Sequence, residues 1–103
     1  MIQLHIISRV PKQIRDIENL LINENFITGA TVIDTLSSYR NEDGEIKTVS
    51  TNLLIGRTKA SLFNTIEDHL KAMYGDKIPV IYGLPIVNMD FKHLEKLKKV
   101  IAE

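Results

Sequence analysis

Residues 31–55, TVIDTLSSYRNEDGEIKTVSTNLLI, decide the fold. Thr31 to Tyr39 is rich in β-branched residues and reads as a strand. Asn41-Glu42-Asp43-Gly44 follows, with Asp-Gly as a hairpin signal, and Glu45 to Ile55 returns as the second arm. Arms of about ten residues carry the ribbon to ~30 Å, beyond the ~17–20 Å of an ordinary strand. Its distal half (Ser37, Ser38, Arg40, Glu45, Lys47, Thr48, Ser50) is polar, so the ribbon is expected to project beyond the core.

Toward the N-terminus, Ile2, Leu4 and Ile6 alternate with Gln3 and His5, the period of a strand. Pro11 suits the first turn of a helix over Lys12 to Asn25, where Ile14, Ile17, Leu20 and Leu21 separate from Asp16, Glu18 and Asn19. Phe26 and Ile27 are expected to pack beneath its end, with Gly29 permitting the turn back. Toward the C-terminus, Thr58 is read as the cap of a helix from Lys59 to Tyr74, with Leu62, Phe63, Ile66, Leu70 and Met73 inward and Gly75 past its end. Ile78 to Leu84 reads as a strand closed by Pro85. Asp90 is read as the cap of a last helix that buries Phe91, Leu94, Leu97 and Ile101. The order β-α-β-β-α-β plus a terminal helix predicts an α+β, ferredoxin-like fold. Two right-handed βαβ units interleave into one antiparallel sheet with helices on one face, a long β-hairpin and a C-terminal helix. That architecture serves many functions and identifies none.

The 103 residues fit one domain, 1–103, with no repeat, linker or low-complexity segment. Thirteen Lys and Arg balance thirteen Asp and Glu, so no long-range field steers the chain to nucleic acid or an acidic membrane. Zero net charge also puts little repulsion between copies. The absence of cysteine excludes disulfides, thiolate metal sites and cysteine nucleophiles. No stretch approaches the ~20 apolar residues of a membrane span, and Met1 to Lys12 reads as no leader, so the expected address is cytoplasmic.

Gly56-Arg57-Thr58-Lys59 is read as a strand-to-helix handover whose free amides, with Arg57 and Lys59, suit a small anion; the alternative is an ordinary capped helix start. It is no Walker loop, because GxxxxGK[ST] is missing. Tyr39, Tyr74 and Asp76 are the polar and aromatic residues expected to wall a ligand cleft beside it. His5, His69 and His93 are too dispersed for a local metal motif, although they can converge across subunits. No serine lies in a nucleophile elbow and no carboxylate pair has a reason to be buried, so no enzyme activity is expected. The long ribbon has open edges, which a ring of copies closes if each hairpin augments its neighbour's sheet.

From Phe26 to Leu97 the chain resembles the divalent-cation tolerance (CutA) family. The likeness runs through Gly29-Ala30-Thr31-Val32-Ile33, the turn at Gly44, Ile55-Gly56-Arg57-Thr58 with Ser61-Leu62, Pro79, Gly83-Leu84-Pro85-Ile86 and Asp90, Leu94 and Leu97. The resemblance implies a ferredoxin-like homotrimer similar to the PII signalling proteins, a link to tolerance of divalent metals, chiefly copper, and clefts between subunits. Three departures stand out. The family's cysteine falls at Gly29, its aromatic-tryptophan pair at Asn41-Glu42, and its His-Pro-Tyr stretch at Tyr74-Gly75-Asp76. The family's lysine before threonine is Arg57, which keeps the charge. Without a thiolate, a soft copper site loses its best ligand.

Two functions follow as expectations. One is a trimeric binding or signalling module whose clefts take a small anionic ligand at Arg57 and Lys59, walled by Tyr39, Tyr74 and Asp76. The other is a metal-handling protein that holds a divalent cation, Cu or Zn, through His5, Asp34, Asp76 or His93 at an interface. An acylphosphatase-like loop would need glycines that Ser8-Arg9-Val10-Pro11 lacks, metal chaperones of this fold need a CxxC, and Tyr39 and Tyr82 make a thin platform for RNA.

Overall fold

The computed structural model describes residues 1–101. Strand β1 (Ile2–Ser8) leads to helix α1 (Pro11–Asn23). Strands β2 (Ala30–Arg40) and β3 (Ile46–Thr58) form the hairpin, helix α2 (Phe63–Tyr74) follows, and β4 (Val80–Pro85) and α3 (Phe91–Val100) complete the chain. The four strands lie in the order β2-β3-β1-β4, and every neighbouring pair is antiparallel. This is the expected α+β, ferredoxin-like arrangement.

The period of two in β1 and β3 sets the layers. Leu4 and Ile6 are buried, and so is Leu54 on β3, where it sits opposite Ile6. They meet Ile14, Ile17 and Leu21 of α1 and Ile66 and Leu70 of α2 in one core. The alternate residues His5, Ile7, Leu53 and Ile55 point to the other face, which carries neither α1 nor α2.

Local chemistry explains the ends of α1. Pro11 occupies its first turn, and the Val10 N–H donates to Ser8 Oγ at 3.0 Å in place of a side-chain cap. At the other end Asn25 adopts a left-handed φ of 58°, while Phe26 N–H donates to Leu21 O at 2.9 Å and Asn25 N–H to Ile22 O at 3.1 Å. That is a Schellman closure, sealed by the burial of Phe26 and Leu21. The turn back therefore falls at Asn25 and not at Gly29, which has an ordinary φ.

The hairpin pairs residue by residue from Ala30↔Gly56 to Arg40↔Ile46. Gly44, at φ 87°, turns the chain, with its N–H donating to Asn41 O at 3.1 Å. The Asn41 and Asp43 carboxamide and carboxylate oxygens accept from Glu45 N–H. Beyond Ser8↔Asn52 the ribbon has lost β1 as a neighbour, and it stretches the subunit to 49 × 29 × 20 Å. The projection expected from its polar distal half is present.

Three assignments change. β3 runs three residues past Ile55, because β1 pairs with it through Thr58. Thr58 is consequently a buried strand residue and not a cap; its Oγ1 donates to Phe26 O at 2.7 Å, and a 3-10 turn (Ala60–Leu62) precedes α2. Met73 (48% exposed) and Phe91 (74% exposed) point outward, since α2 and α3 reach the core through Ile66 and Leu70 and through Leu97 and Ile101. Asp90 does cap α3, its Oδ1 accepting from His93 N–H at 3.0 Å.

The Thr58–Phe26 bond ties the sheet to the end of α1 across 32 residues. Thr58→Val keeps the shape and strands a buried carbonyl, so urea unfolding is expected to show a loss of about 1–3 kcal/mol. An unchanged midpoint would remove this bond from the list of structural anchors.

Candidate functional site

Arg57 lies on β3 opposite Gln3, one residue before the strand ends. Gly56 and Arg57 are both within the sheet, so the expected cradle of free amides is not formed. Gly56 has a packing reason instead: a Cβ there would lie 3.2 Å from the Ile27 side chain. Arg57 shares with α3 the lining of a hollow of about 130 Å³, whose walls are Thr28, Arg57, His93, Lys96 and Leu97. Arg57 also borders a second, wider hollow along Gln3, Gly29, Ala30 and Thr31.

His93 is held by the residue that caps its helix. Its Nδ1 lies 2.6 Å from Asp90 Oδ2, while the backbone N–H donates to Oδ1. These bonds, the backbone one first, keep the Asp90 carboxyl below its ordinary pKa. A carboxylate can only accept, so Nδ1 carries the hydrogen and Nε2 is left for other partners.

The remaining expected ligand residues are dispersed within a subunit. Lys59 Nζ reaches Ile101 O, at the end of α3, at 3.4 Å. Tyr39 lies far out on the hairpin beneath the Arg9 guanidinium, 5.1 Å from its ring centre. Tyr74 ends α2 with a buried, unpartnered hydroxyl; burial and, less so, Asp16 push its pKa up. Asp76 is exposed on the 3-10 turn after α2 (Gly75–Lys77). Thr28 and Lys96, which sequence reasoning missed, join Arg57 by different routes: Thr28 lies just before β2, whose Ala30 pairs with Gly56, and Lys96 arrives with α3; the linear signal was the i, i+3 spacing of His93 and Lys96.

The metal candidates separate as well. His5 faces the open side of the sheet, its Nδ1 3.2 Å from the Tyr82 hydroxyl, with Nε2 buried and unpartnered. Asp34, opposite Asn52, faces the helix side at the hairpin base, and His93 is on α3. Among the described residues no three His, Asp or Glu side chains gather as a metal site, so one subunit's donor set does not fit a resident cation.

Around His5 the open face presents Ile7, Ile33, Leu53, Ile55, Tyr82 and Leu84. Ile33, Tyr82 and Leu84 are each about two-fifths exposed. An open-faced α/β sandwich with an apolar sheet surface and a long ribbon is the class of protein that this geometry defines.

The family model for the CutA1 divalent ion tolerance protein matches residues 5–99, and the chain belongs to that family. A rice protein, "Protein CutA 1, chloroplastic", is 29% identical over 83 residues, covering 81% of this chain and 47% of its own length. The chain thus spans about half the length of the curated relatives it matches. The crystal structure of CutA1 from Oryza sativa superposes with a TM-score of 0.85 at 25% identity, covering 99% of this chain and 94% of that one. CutA1 from Pyrococcus horikoshii gives 0.86 at 17% identity over the whole of both chains, a likeness of fold. No helix among the described residues is long and apolar enough to cross a membrane.

The depressed Asp90 pKa makes a signed prediction. A lowered carboxyl contributes stability above its unfolded pKa of about 3.9, and that contribution is lost as pH falls through the depressed folded value. Asp90→Asn is expected to unfold earlier than the parent at neutral pH and to match it more closely at acid pH. A gap independent of pH would mean that the carboxylate charge contributes nothing.

Proposed function

We propose that the chain is a non-catalytic binding module that assembles as a homotrimer in the cytoplasm and takes a small anionic ligand beside Arg57. The open sheet face carries this reading. Apolar side chains from all four strands lie on one uncovered surface, with the unpartnered Nε2 of His5 among them. A contiguous apolar face of this kind marks an interaction surface. The hairpin supports the same assembly, because from Ile46 to Thr51 β3 pairs with β2 alone and leaves its other edge free to extend a neighbour's sheet. Cyclic closure satisfies both at once. Membership of the CutA1 divalent ion tolerance family suggests the module's setting, a response to metal ions.

A second reading is favoured by His5. If the open faces meet around an axis and the His5 ring turns its buried Nε2 toward that axis, imidazoles from several copies offer Zn²⁺ or Cu²⁺ nitrogen donors that the described residues of one subunit do not gather. Zinc titration of the assembled protein tests it. Binding weakened by His5→Gln supports it, and binding indifferent to that change removes it.

Light scattering tests the assembly. A trimer mass is expected for the parent. Ile33→Lys, at a position 41% exposed in the lone subunit, is expected to give folded monomers. A parent of monomer mass would overturn the proposed assembly.

A further inference from the structure

Two basic residues line one small hollow whose lining holds no carboxylate. Arg57 reaches it from the end of β3 and Lys96 from the middle of α3, while His93 and Thr28 complete the polar wall over the buried Leu97. Among the described residues neither Arg57 nor Lys96 has an ion pair, although the chain carries as many acids as bases. Lys98, on another side of α3, is by contrast 3.9 Å from Glu95. Like charges converging on a shared concavity repel until an anion joins them.

Size and donor type narrow the ligand. About 130 Å³ is well below the ~300–1,000 Å³ of a site that swallows a whole small molecule, so the hollow takes an anionic group only. The residues that line it bring a guanidinium from β3, an ammonium and an imidazole from α3 and a hydroxyl from the segment before β2. A tetrahedral oxyanion has enough oxygens to meet all of them, and a planar carboxylate has fewer. The Asp90 clamp on Nδ1 leaves His93 Nε2 to accept from a P–OH.

We propose that the hollow between β3 and α3 is a phosphate site, in which Arg57, Lys96, His93 and Thr28 hold inorganic phosphate or the phosphate of a small phosphorylated metabolite. This deepens the binding-module reading and rests on it for the claim that Arg57 meets an anion. Lys59, expected to share that role, is replaced by Lys96 and His93, because α3 docks where the sequence order alone does not place it.

The test is a titration of the ¹⁵N-labelled full chain with inorganic phosphate and, separately, with glycerol 3-phosphate, each against sodium chloride at matched ionic strength. Saturable amide shifts confined to Thr28, Arg57, His93 and Lys96 are expected. Arg57→Ala and Lys96→Ala should each weaken binding about tenfold or more, and Arg57→Lys should restore part of it. Both replaced side chains are exposed, so light scattering and the amide spectrum are expected to show an unchanged fold and mass. Tighter binding of the ester identifies a metabolite; tighter binding of the inorganic ion identifies free phosphate; either supports the site. Shifts no larger than those with chloride, or variants that bind like the parent, overturn it. A trimer without phosphate binding overturns the pocket alone, and a monomer that binds phosphate overturns the assembly alone.

Discussion

From Ile2 to Ser8, β1 hydrogen-bonds to β3 on one side and, through Ile7, to β4 on the other, and this central pairing holds the remaining elements in place. Its register aligns Leu4 with Gly56 and Ile6 with Leu54, which puts the buried apolar residues beneath the helices. A slip by one residue would send that set to the open face, so the register and the core specify each other. The same pairing draws β3 out to Thr58 and so delivers Thr58 to the Phe26 carbonyl. It also ends at Ser8, so the outer half of the hairpin stands alone.

Function, on this account, lives on surfaces that the core leaves over. The helices cover one face of the sheet, and the other remains apolar from strand to strand. At the end of β3 a different imbalance appears: a chain of zero net charge gathers Arg57 and Lys96 around one hollow. The first surplus is hydrophobic, and the proposed assembly would cover it with other copies of the same surface. The second is electrostatic, and the proposed phosphate would balance it.

Much of the fold was legible because it is written in short-range periods. Alternation in Ile2-Gln3-Leu4-His5-Ile6, the long arms around Gly44 and the Asp90 cap each depend on neighbours a few residues away. Thr58 was misread because a threonine before a helix and a threonine ending a strand look alike, and only Phe26, 32 residues distant, distinguishes them. The turn after α1 was placed at Gly29 although Asn25 also tolerates a left-handed φ. Phe91 and Met73 follow the helical period, yet periodicity does not say where the core stops. The hollow at Arg57 was half legible. The arginine stood out, but its companions depend on how Leu97 and Ile101 seat α3, which is a tertiary fact.

The claim on which the functional account turns is that other copies complete the sheet and its ribbon. Amide hydrogen exchange along β3 from Ile46 to Thr51 reads it most directly, because there the edge away from β2 has no partner within a subunit. Slow exchange is expected at the outward-facing amides of this segment, lost on dilution or in a variant that separates the copies. Exchange as fast as in an unstructured edge, at concentrations where the rest of the sheet is protected, would contradict it.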